Sequence, residues 1–179
     1  VFVDNAVFVG KDKDGQPRYA CLRGIGTDFK GEATGSDKRF SFSIPAKESS
    51  QVLYLFESAI DLLSFATMAQ EDRLPWRSQH LLSLAGVYQP KKNLAERRLP
   101  LALSQYLRDH REIQTIYLCL DNDLAGRSAA DAIRQQLAGK YVVRDGFPCQ
   151  GKDYNDWLCL RKGLPITRTV PKTERSIAR

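Results

Sequence analysis

The chain has 179 residues, a length that suits one medium-sized domain or two small ones and allows a hydrophobic core without disulfides or metals. Hydrophobic residues make up 42% and charged residues 27% of it, which excludes a disordered chain and a membrane-embedded one. The formal net charge of +6 is uneven, because residues 161–179 hold six basic residues and one acid while the other 160 residues are nearly neutral. This tail is either a solvated linker or a segment that contacts nucleic-acid phosphates.

The location and the redox state follow from what is missing in the sequence. No apolar run approaches the roughly 20 residues of a membrane-spanning helix. No signal segment opens the chain, which starts at Val1. We therefore expect a cytoplasmic domain that is cut from a longer polypeptide. The cysteines do not form a C-x2-C motif and only His80 and His110 offer imidazoles, so we predict neither a zinc site nor a disulfide framework.

The first 48 residues have a β-like pattern. Strands are predicted at 6–9 and 18–23, joined by a turn at Asp14-Gly15. A third strand is predicted at 39–44, where Phe40, Phe42 and Ile44 alternate with polar residues. Residues 45–50 are expected to connect this β-rich part to the rest of the chain.

After residue 50 the pattern changes to strands that alternate with helices. The strands are predicted at 51–56, 80–84, 115–120 and 141–143, and the helices at 58–70, 101–110, 125–138 and 154–161. This alternation predicts an α/β fold with a central parallel sheet of about four strands, flanked by helices on both faces. In such sheets the ligand site lies beyond the carboxyl ends of the strands.

Acidic residues stand at two of these strand ends. Glu57 directly follows the first strand of the predicted parallel sheet, and Asp121 and Asp123 follow the third in the sequence LCLDNDLAGRSAA. Adjacent carboxylates repel each other, so their proximity needs a compensating cation. Carboxylate oxygens are the ligands that Mg²⁺ and Mn²⁺ prefer.

A third polar cluster follows the fourth of these strands in the sequence GKDYND, which holds Lys152, Asp153, Asn155 and Asp156. For any single acid the alternative is a helix N-cap, and this alternative has most weight for Asp156. Asp61 lies four residues after Glu57 and is either a residue that supports the site or an ordinary helix acid.

The segments LYLFESAIDLLS, IYLCLDNDLAGRSAA and GKDYNDWL resemble, in this order, the Toprim domain that topoisomerases, bacterial primases and OLD-type nucleases share. The resemblance covers about residues 50–160. The segments FVGKDKDGQPRYACLRG and GSDKRFSFSI resemble the lead-in of primase-like Toprim proteins from plasmids and conjugative elements. The sequence therefore predicts a β-rich lead-in over 1–48, a Toprim catalytic domain over 49–162 and a basic tail over 163–179.

The resemblance implies that Glu57 is the acid/base glutamate, that Asp121 and Asp123 bind the metal, and that Asp153 is the first acid of the last motif. Asn155 departs from the family, because primases commonly have a second aspartate there. Lys152 adjoins Asp153 and is predicted to be catalytic. The remaining candidates are supporting residues or phosphate contacts: Asp61, Asn155 and Asp156 support the ligands, and Lys38, Arg39 and Arg127 contact phosphates.

Each predicted phosphate contact has a plain alternative. Arg127 is otherwise an exposed helix cation, and Lys38 and Arg39 otherwise belong to a turn before a strand. The loop that holds Lys91, Lys92, Arg97 and Arg98 either follows a nucleic-acid backbone or is simply solvated.

The expected function is Mg²⁺- or Mn²⁺-dependent phosphoryl transfer on single-stranded DNA or RNA. The primase-like version uses nucleoside triphosphates in a mobile-element or plasmid protein for replication or mobilisation, and other domains of a longer polypeptide are expected partners. The alternatives are an OLD-like nuclease and a non-catalytic module that binds nucleic acid or protein.

Overall fold

The structure, a computed structural model, describes residues 4–86 and 98–166. These residues form two β-sheets, four α-helices and two short 3₁₀ turns. The strands are β1 (Asn5–Lys11), β2 (Pro17–Gly24), β3 (Lys30–Glu32), β4 (Ser43–Ile44), β5 (Val52–Phe56), β6 (His80–Ser83), β7 (Thr115–Cys119) and β8 (Val142–Asp145). The helices are α1 (Ala59–Glu71), α2 (Leu101–Asp109), α3 (Leu124–Leu137) and α4 (Tyr154–Arg161), and the 3₁₀ turns are Lys38–Phe40 and Trp76–Ser78.

The larger sheet has five strands in the order β4-β6-β5-β7-β8. Strands β6, β5, β7 and β8 are parallel, and β4 pairs with β6 in the antiparallel direction at one edge. The smaller sheet is antiparallel and has the order β1-β2-β3. The predicted fold class, a parallel-rich sheet flanked by helices with an N-terminal β-rich extension, is confirmed.

The two faces of the parallel sheet are covered by different helix pairs. Leu53 and Leu55 of β5 belong to a hydrophobic cluster with α2 and α3, whereas Tyr54 and Phe56 belong to a cluster with α1 and α4. The same alternation holds for β7. Central strands that bury both faces are therefore apolar throughout, and burial of this surface is the main source of stability. Both faces being closed, polar chemistry is left to the ends of the strands.

The strand predicted at 39–44 is wrong for its first half. Asp37 accepts a hydrogen bond from the Arg39 backbone N–H at 3.0 Å and caps a 3₁₀ turn over Lys38–Phe40, so the chain leaves the extended conformation. Only Ser43–Ile44 form a strand. The aromatic alternation reflects packing instead, since the Phe42 ring makes an edge contact with Phe8 at a centroid distance of 5.7 Å.

The domain boundary at residue 48 stays a prediction, although the two parts touch: β4, on the N-terminal side of it, pairs with β6. The basic loop residues Lys91, Lys92 and Arg97 and the tail beyond residue 166 lie outside the described residues. Among the residues that are described, no helix combines the length and the apolar character needed to cross a membrane.

Candidate functional site

Two acids meet at the carboxyl ends of the central strands. β5 and β7 are parallel neighbours with Phe56 opposite Cys119, and Glu57 and Asp121 follow these positions within two residues. Asp121 is only 6% exposed and Glu57 is partly buried. The parallel register therefore places both carboxyl groups at one edge of the sheet, which we call the carboxyl edge.

Lys152 links the D-x-D motif to the last motif. Its ammonium Nζ lies 2.7 Å from Asp121 Oδ2 and 3.3 Å from Asp123 Oδ2. The loop that carries it is held by the backbone, because the Asn122 N–H donates to the Lys152 carbonyl at 2.6 Å. The ammonium thus compensates the two carboxylates that the sequence places side by side.

Two of the predicted site acids also cap helices. Asp123 Oδ1 accepts the Gly126 N–H at 2.8 Å at the start of α3, and Asp153 Oδ1 accepts the Asp156 N–H at 2.7 Å at the start of α4. The N-cap suggested at Asp156 is therefore wrong, since Asp153 is the cap and Asp156 accepts the Lys152 N–H at 3.0 Å. Each cap uses one carboxylate oxygen, and in Asp123 the other oxygen, Oδ2, faces Lys152.

Gly126 sets the approach of α3 to the site. A Cβ atom at this position would lie 2.1 Å from the backbone oxygen of Asp121. This is far inside contact distance, so only glycine lets the first turn of α3 fold back over the end of β7. The glycine in the D-N-D-L-A-G sequence is therefore required by packing at the site.

Asp61 connects α1 to α4 behind the acids. It is 7% exposed, its Oδ2 accepts the Ser58 hydroxyl at 2.5 Å, and its Oδ1 accepts the Asn155 N–H at 3.3 Å. Ser58 is the N-cap of α1 and accepts the Asp61 N–H at 3.2 Å. Asp61 and Asn155 thus join the first turns of α1 and α4.

The electrostatics of the site separate the acids into two kinds. Burial, together with the nearby Asp121 charge, raises the pKa of Glu57 to about 7. Burial also raises the pKa of Asp121, and the hydrogen bond from Lys152 only partly offsets this effect. The Gly126 N–H lowers the pKa of Asp123, and the hydrogen bond to Asp121 raises the pKa of Lys152. At neutral pH, Glu57 is therefore near half-protonation while Asp123 and Lys152 are charged.

A cleft of about 670 Å³ opens beside the acids, between the smaller sheet and the loop before α4. Lys152, Asp153 and Asp156 line one wall of it. The opposite wall has Arg23 and Lys30 from β2 and β3 and the half-exposed ring of Phe29. The cleft thus joins cationic and aromatic groups to the acidic residues.

The predicted phosphate contacts are only partly brought to this region. Arg127 lies at the start of α3, donates to the Asn122 side-chain oxygen and stacks over the Phe147 ring at 4.8 Å. Lys38 instead pairs with Glu32 at 2.9 Å and Arg39 with Asp37 at 2.6 Å. Neither Lys38 nor Arg39 lines the cleft.

Sequence reasoning missed the cleft residues on the smaller sheet. Arg23, Phe29 and Lys30 carry no local motif, and their position depends on how that sheet packs against the loop before α4. Ser58 was also missed, although the spacing Ser58-x-x-Asp61 is a helix-start signature that the sequence contains.

Asp121 and Asp123 offer a pair of carboxylates to a hard divalent cation, whereas among the described residues no three acids at this edge bring their ligand atoms within 4.8 Å of one another. The Lys152 ammonium already occupies a position between Asp121 and Asp123, which shows that these two carboxylates can share one cation. All the acidic side chains at this edge offer oxygen, which suits Mg²⁺ or Mn²⁺ and not a thiophilic metal.

Comparisons with solved structures show the same fold in bacteriophage primases. The chain aligns with the primase fragment of the bacteriophage T7 primase-helicase protein with a TM-score of 0.56 and 22% identity, over 88% of this chain and 58% of that one. It aligns equally, with a TM-score of 0.56 and 18% identity, with a chain from a T7 lagging-strand DNA polymerase complex, over 90% of this chain and 72% of that one. In that complex the polymerase interacts with primase domains of two gp4 subunits bound to an RNA/DNA hybrid and dTTP. At this level of identity the likeness concerns the fold.

Sequence comparisons give the family. The chain is 29% identical to a Zymomonas mobilis protein described as a 65 kDa protein, over 94% of this chain and 28% of that protein, so it spans little more than a quarter of this relative. A family described as a protein of unknown function (DUF3991) matches residues 3–49, and the Toprim-like family matches residues 54–158. Because this second match covers more than half of the 179 residues, the predicted resemblance is confirmed and the chain belongs to the Toprim-like family.

Proposed function

We propose that this chain performs metal-dependent phosphoryl transfer on nucleic acid, and that the reaction is primase-like nucleotidyl transfer in a replication or mobilisation protein of a plasmid or another mobile element. The observation that carries the proposal is the joining of Asp121, Asp123 and Lys152 next to Glu57, beside a cleft whose far wall carries Arg23 and Lys30 together with Asp28. The Toprim-like family and the fold shared with the T7 primase fragment support it.

The cleft is suited to a single strand of DNA or RNA and to a nucleoside triphosphate. Arg23 and Lys30 would contact phosphates, and the half-exposed ring of Phe29 would stack on a base. Lys152 lines the same cleft and would neutralise an oxygen of the phosphate that lies next to the acids.

Asp121 and Asp123 would hold Mg²⁺ or Mn²⁺, with Asp153 as a further oxygen donor. When bound, the ion would supply positive charge for the phosphoryl oxygens in the transition state. Asp61 and Asn155 would keep the loop of Asp153 in place through the hydrogen bond that joins them.

Glu57 would act as the acid/base group. Because its pKa is about 7, its charged form is available near neutral pH and is still basic enough to accept a proton. In the primase-like reaction it would take the proton of the attacking 3′-hydroxyl while a bond forms between that oxygen and the α-phosphorus. The bond to the leaving pyrophosphate oxygen breaks in the same step. In a nuclease, water would take the place of the hydroxyl.

The test compares two carboxylate-to-amide variants in a primer-synthesis assay and a strand-cleavage assay run in parallel. The longest polypeptide that contains this chain is incubated with single-stranded DNA, nucleoside triphosphates and Mg²⁺ or Mn²⁺. We expect Glu57→Gln to keep metal and nucleic-acid binding but to lose about 10²–10⁴-fold in rate, since an amide cannot accept the proton. Asp123→Asn should lose metal affinity, and a raised Mn²⁺ concentration should partly restore its activity by filling the weakened site. The variant should keep its fold, because Asn still caps a helix.

Asp131→Asn on the exposed side of α3 is the matched control and should behave as the wild type. Equal rescue of both site variants by metal would show that Glu57 is a ligand, which would overturn its assigned role. Cleavage without primer synthesis would identify the nuclease. If the wild type forms no metal-dependent product in either assay, the proposal of an enzyme fails and a binding module remains.

A further inference from the structure

A second polar cluster lies at the opposite, amino-terminal edge of the parallel sheet. His80 is the first residue of β6, His110 directly follows α2, and Glu112 lies three residues before β7. Glu112 Oε1 is 3.3 Å from His110 Nδ1 and 3.6 Å from His80 Nε2, and the two imidazole centroids are 4.6 Å apart. Two chain segments that are distant in sequence, the start of β6 and the connection between α2 and β7, thus converge on one point, and we call these three residues the histidine cluster.

His80 leaves one ring nitrogen without a hydrogen bond. Its side chain is only 4% exposed, and Nε2 has no hydrogen-bond partner among the described residues. A buried polar atom without a partner costs about 1–3 kcal/mol. The nitrogen faces Glu112 at a distance beyond hydrogen bonding, with His110 beside it. An ion bound between His80, His110 and Glu112 would give Nε2 of His80 the partner that it lacks.

Tyr106 holds both imidazoles in place. Its hydroxyl lies 3.0 Å from His80 Nδ1, and its ring contacts the rings of His80 and His110 at centroid distances of 5.7 and 4.3 Å. Metal-binding histidines use their second nitrogen for this kind of hydrogen bond, which orients the ring. When Nε2 binds a metal, Nδ1 is protonated and donates to Tyr106, and the long 3.4 Å contact from the Ala46 N–H is given up.

We propose that His80, His110 and Glu112 form a Zn²⁺ site. Their ligand atoms all lie within 4.8 Å of one another, and they are the one such group of three among residues 4–86 and 98–166. Two imidazoles and one carboxylate are a ligand set typical of zinc, whereas Mg²⁺ prefers oxygen alone. Glu112 and His110 are partly exposed, which leaves room for water as a fourth ligand.

Burial, followed by the neighbouring His110, lowers the pKa of His80, and Glu112 acts in the opposite direction. A cavity of about 310 Å³ lies beside the cluster, and His110 and Tyr106 line it whereas His80 and Glu112 do not. Bound zinc would join the start of β6 to the segment between α2 and β7, and it would stabilise the edge that is remote from the acids.

The test titrates the 179-residue chain, first stripped with a chelator, with Zn²⁺ alone and with Mg²⁺ alone by calorimetry. We expect one Zn²⁺ per chain and a higher melting temperature, with no Mg²⁺ bound at this cluster. His110→Ala and Glu112→Gln should each weaken Zn²⁺ binding at least tenfold. Both side chains are partly exposed, so these variants should fold even if a change at buried His80 does not.

Asp109→Asn, which removes a carboxylate one residue away from His110, is the matched control and should bind Zn²⁺ as the wild type does. Co²⁺ in place of Zn²⁺ should give the visible bands of a tetrahedral site without thiolate charge transfer, which separates it from the exposed Cys149. The proposal is overturned if the wild type binds no Zn²⁺, if both ligand variants bind it unchanged, or if a thiolate band appears and is lost in Cys149→Ser.

Discussion

The two ends of the parallel sheet carry side chains of opposite charge type, because helix N-termini lie at one end and a helix C-terminus lies at the other. At the carboxyl edge, the helix starts of α3 and α4 offer backbone N–H groups, and aspartates Asp123 and Asp153 accept them. At the amino edge, α2 ends at Asp109 and His110 follows. Helix N-termini favour anions and C-termini favour cations or groups that can become cations. Acids therefore collect at one end of the sheet and an imidazole pair at the other.

The two clusters differ in how their charge is compensated. The aspartates of the carboxyl edge have the Lys152 ammonium as a built-in cation, whereas His80 Nε2 at the amino edge has no partner among the described residues. A site that has its own ammonium group can fold without metal, and a metal ion can then displace this ammonium. A site with a buried ring nitrogen that lacks a hydrogen bond is stabilised more strongly when a metal binds. We therefore expect Mg²⁺ and Zn²⁺ to act on different ends of one sheet.

The largest expected effect on stability comes from Gly126→Ala at the carboxyl edge. Alanine normally stabilises a helix by about 1 kcal/mol relative to glycine. Here the added Cβ would meet the Asp121 backbone oxygen at 2.1 Å, so we expect a loss of about 3 kcal/mol and loss of activity. Urea unfolding measures the loss of stability, and the primer-synthesis assay measures the loss of activity.

The Zn²⁺-induced rise in melting temperature should persist in Gly126→Ala, because the histidine cluster lies at the other end of the sheet. Gly15→Ala, in an open turn with φ +78°, is the control for backbone strain alone and should cost about 1 kcal/mol. A Gly126→Ala protein as stable as the wild type would show that α3 does not need this close approach.

The carboxyl edge could be predicted in part from the sequence because Glu57 and the pair Asp121 and Asp123 follow the apolar strands β5 and β7. Glu57 and Asp121 needed only the parallel arrangement to meet, and Lys152 adjoins Asp153 in the chain. The histidine cluster could not be predicted, since His80 and His110 are separated by β6, α2 and the segment between them. Only the fold brings them together, whereas the prediction of no zinc site rested on the absence of a C-x2-C motif and the presence of only two histidines.

The N-terminal part shows a different limit. Alternation of Phe40, Phe42 and Ile44 predicts a strand over 39–44, and its first two residues belong to a 3₁₀ turn because the Asp37 side chain binds the Arg39 backbone. A local side-chain hydrogen bond thus outweighs the two-residue period. The three-residue strand β3 has too few residues for any period, so its contribution to the cleft was not foreseeable.

The second prediction concerns pH. Burial raises the pKa of Asp61 to about 6, so the folded chain holds this proton more tightly than the unfolded chain does. Unfolding then releases a proton, and this group's contribution to the free energy of unfolding is fully present below about pH 4 and falls as the pH rises to about 6. Asp61→Asn removes the dependence while an amide oxygen remains for the Asn155 N–H.

We therefore expect the stability of Asp61→Asn relative to the wild type to increase between pH 4 and 7, by less than about 3 kcal/mol. Urea unfolding at several pH values measures it, and Asp131→Asn should show a flat difference. A flat difference for Asp61→Asn as well would mean that the pKa of Asp61 is the same in the folded and the unfolded chain.

The third prediction sharpens the contrast in charge compensation. Lys152→Met removes the ammonium from Asp121 and Asp123, and metal-free stability should fall by about 1 kcal/mol, since the half-exposed lysine is screened by solvent. The rise in melting temperature with Mg²⁺ should become larger than in the wild type, because no internal cation competes. Lys162→Met, which breaks the exposed pair with Glu71, is the control and should leave the Mg²⁺ response unchanged. If the Mg²⁺-induced rise in melting temperature is unchanged in both variants, the Lys152 ammonium and Mg²⁺ do not compete for the same position.

The smallest expected effect concerns nucleic-acid affinity. It shows at which end of the parallel sheet the single strand of DNA or RNA binds. Arg23 and Lys30 line the cleft beside the acids, whereas Lys13 lines the cavity that reaches His110. If the strand lies in the cleft, Arg23→Gln and Lys30→Gln should each weaken binding a few-fold. Each should also flatten the slope of log affinity against log salt by about 0.7, the value for one phosphate contact on a single strand. Lys13→Gln removes the same charge at the other site and should leave the slope unchanged.

Fluorescence anisotropy with a labelled single strand of DNA at several salt concentrations measures the affinity of all three variants. A slope that changes only in Lys13→Gln would put the strand over the histidine cluster. A slope that changes in none of them would exclude these three side chains and leave the other basic residues, the segments at 91–97 and 167–179 among them, as the phosphate contacts.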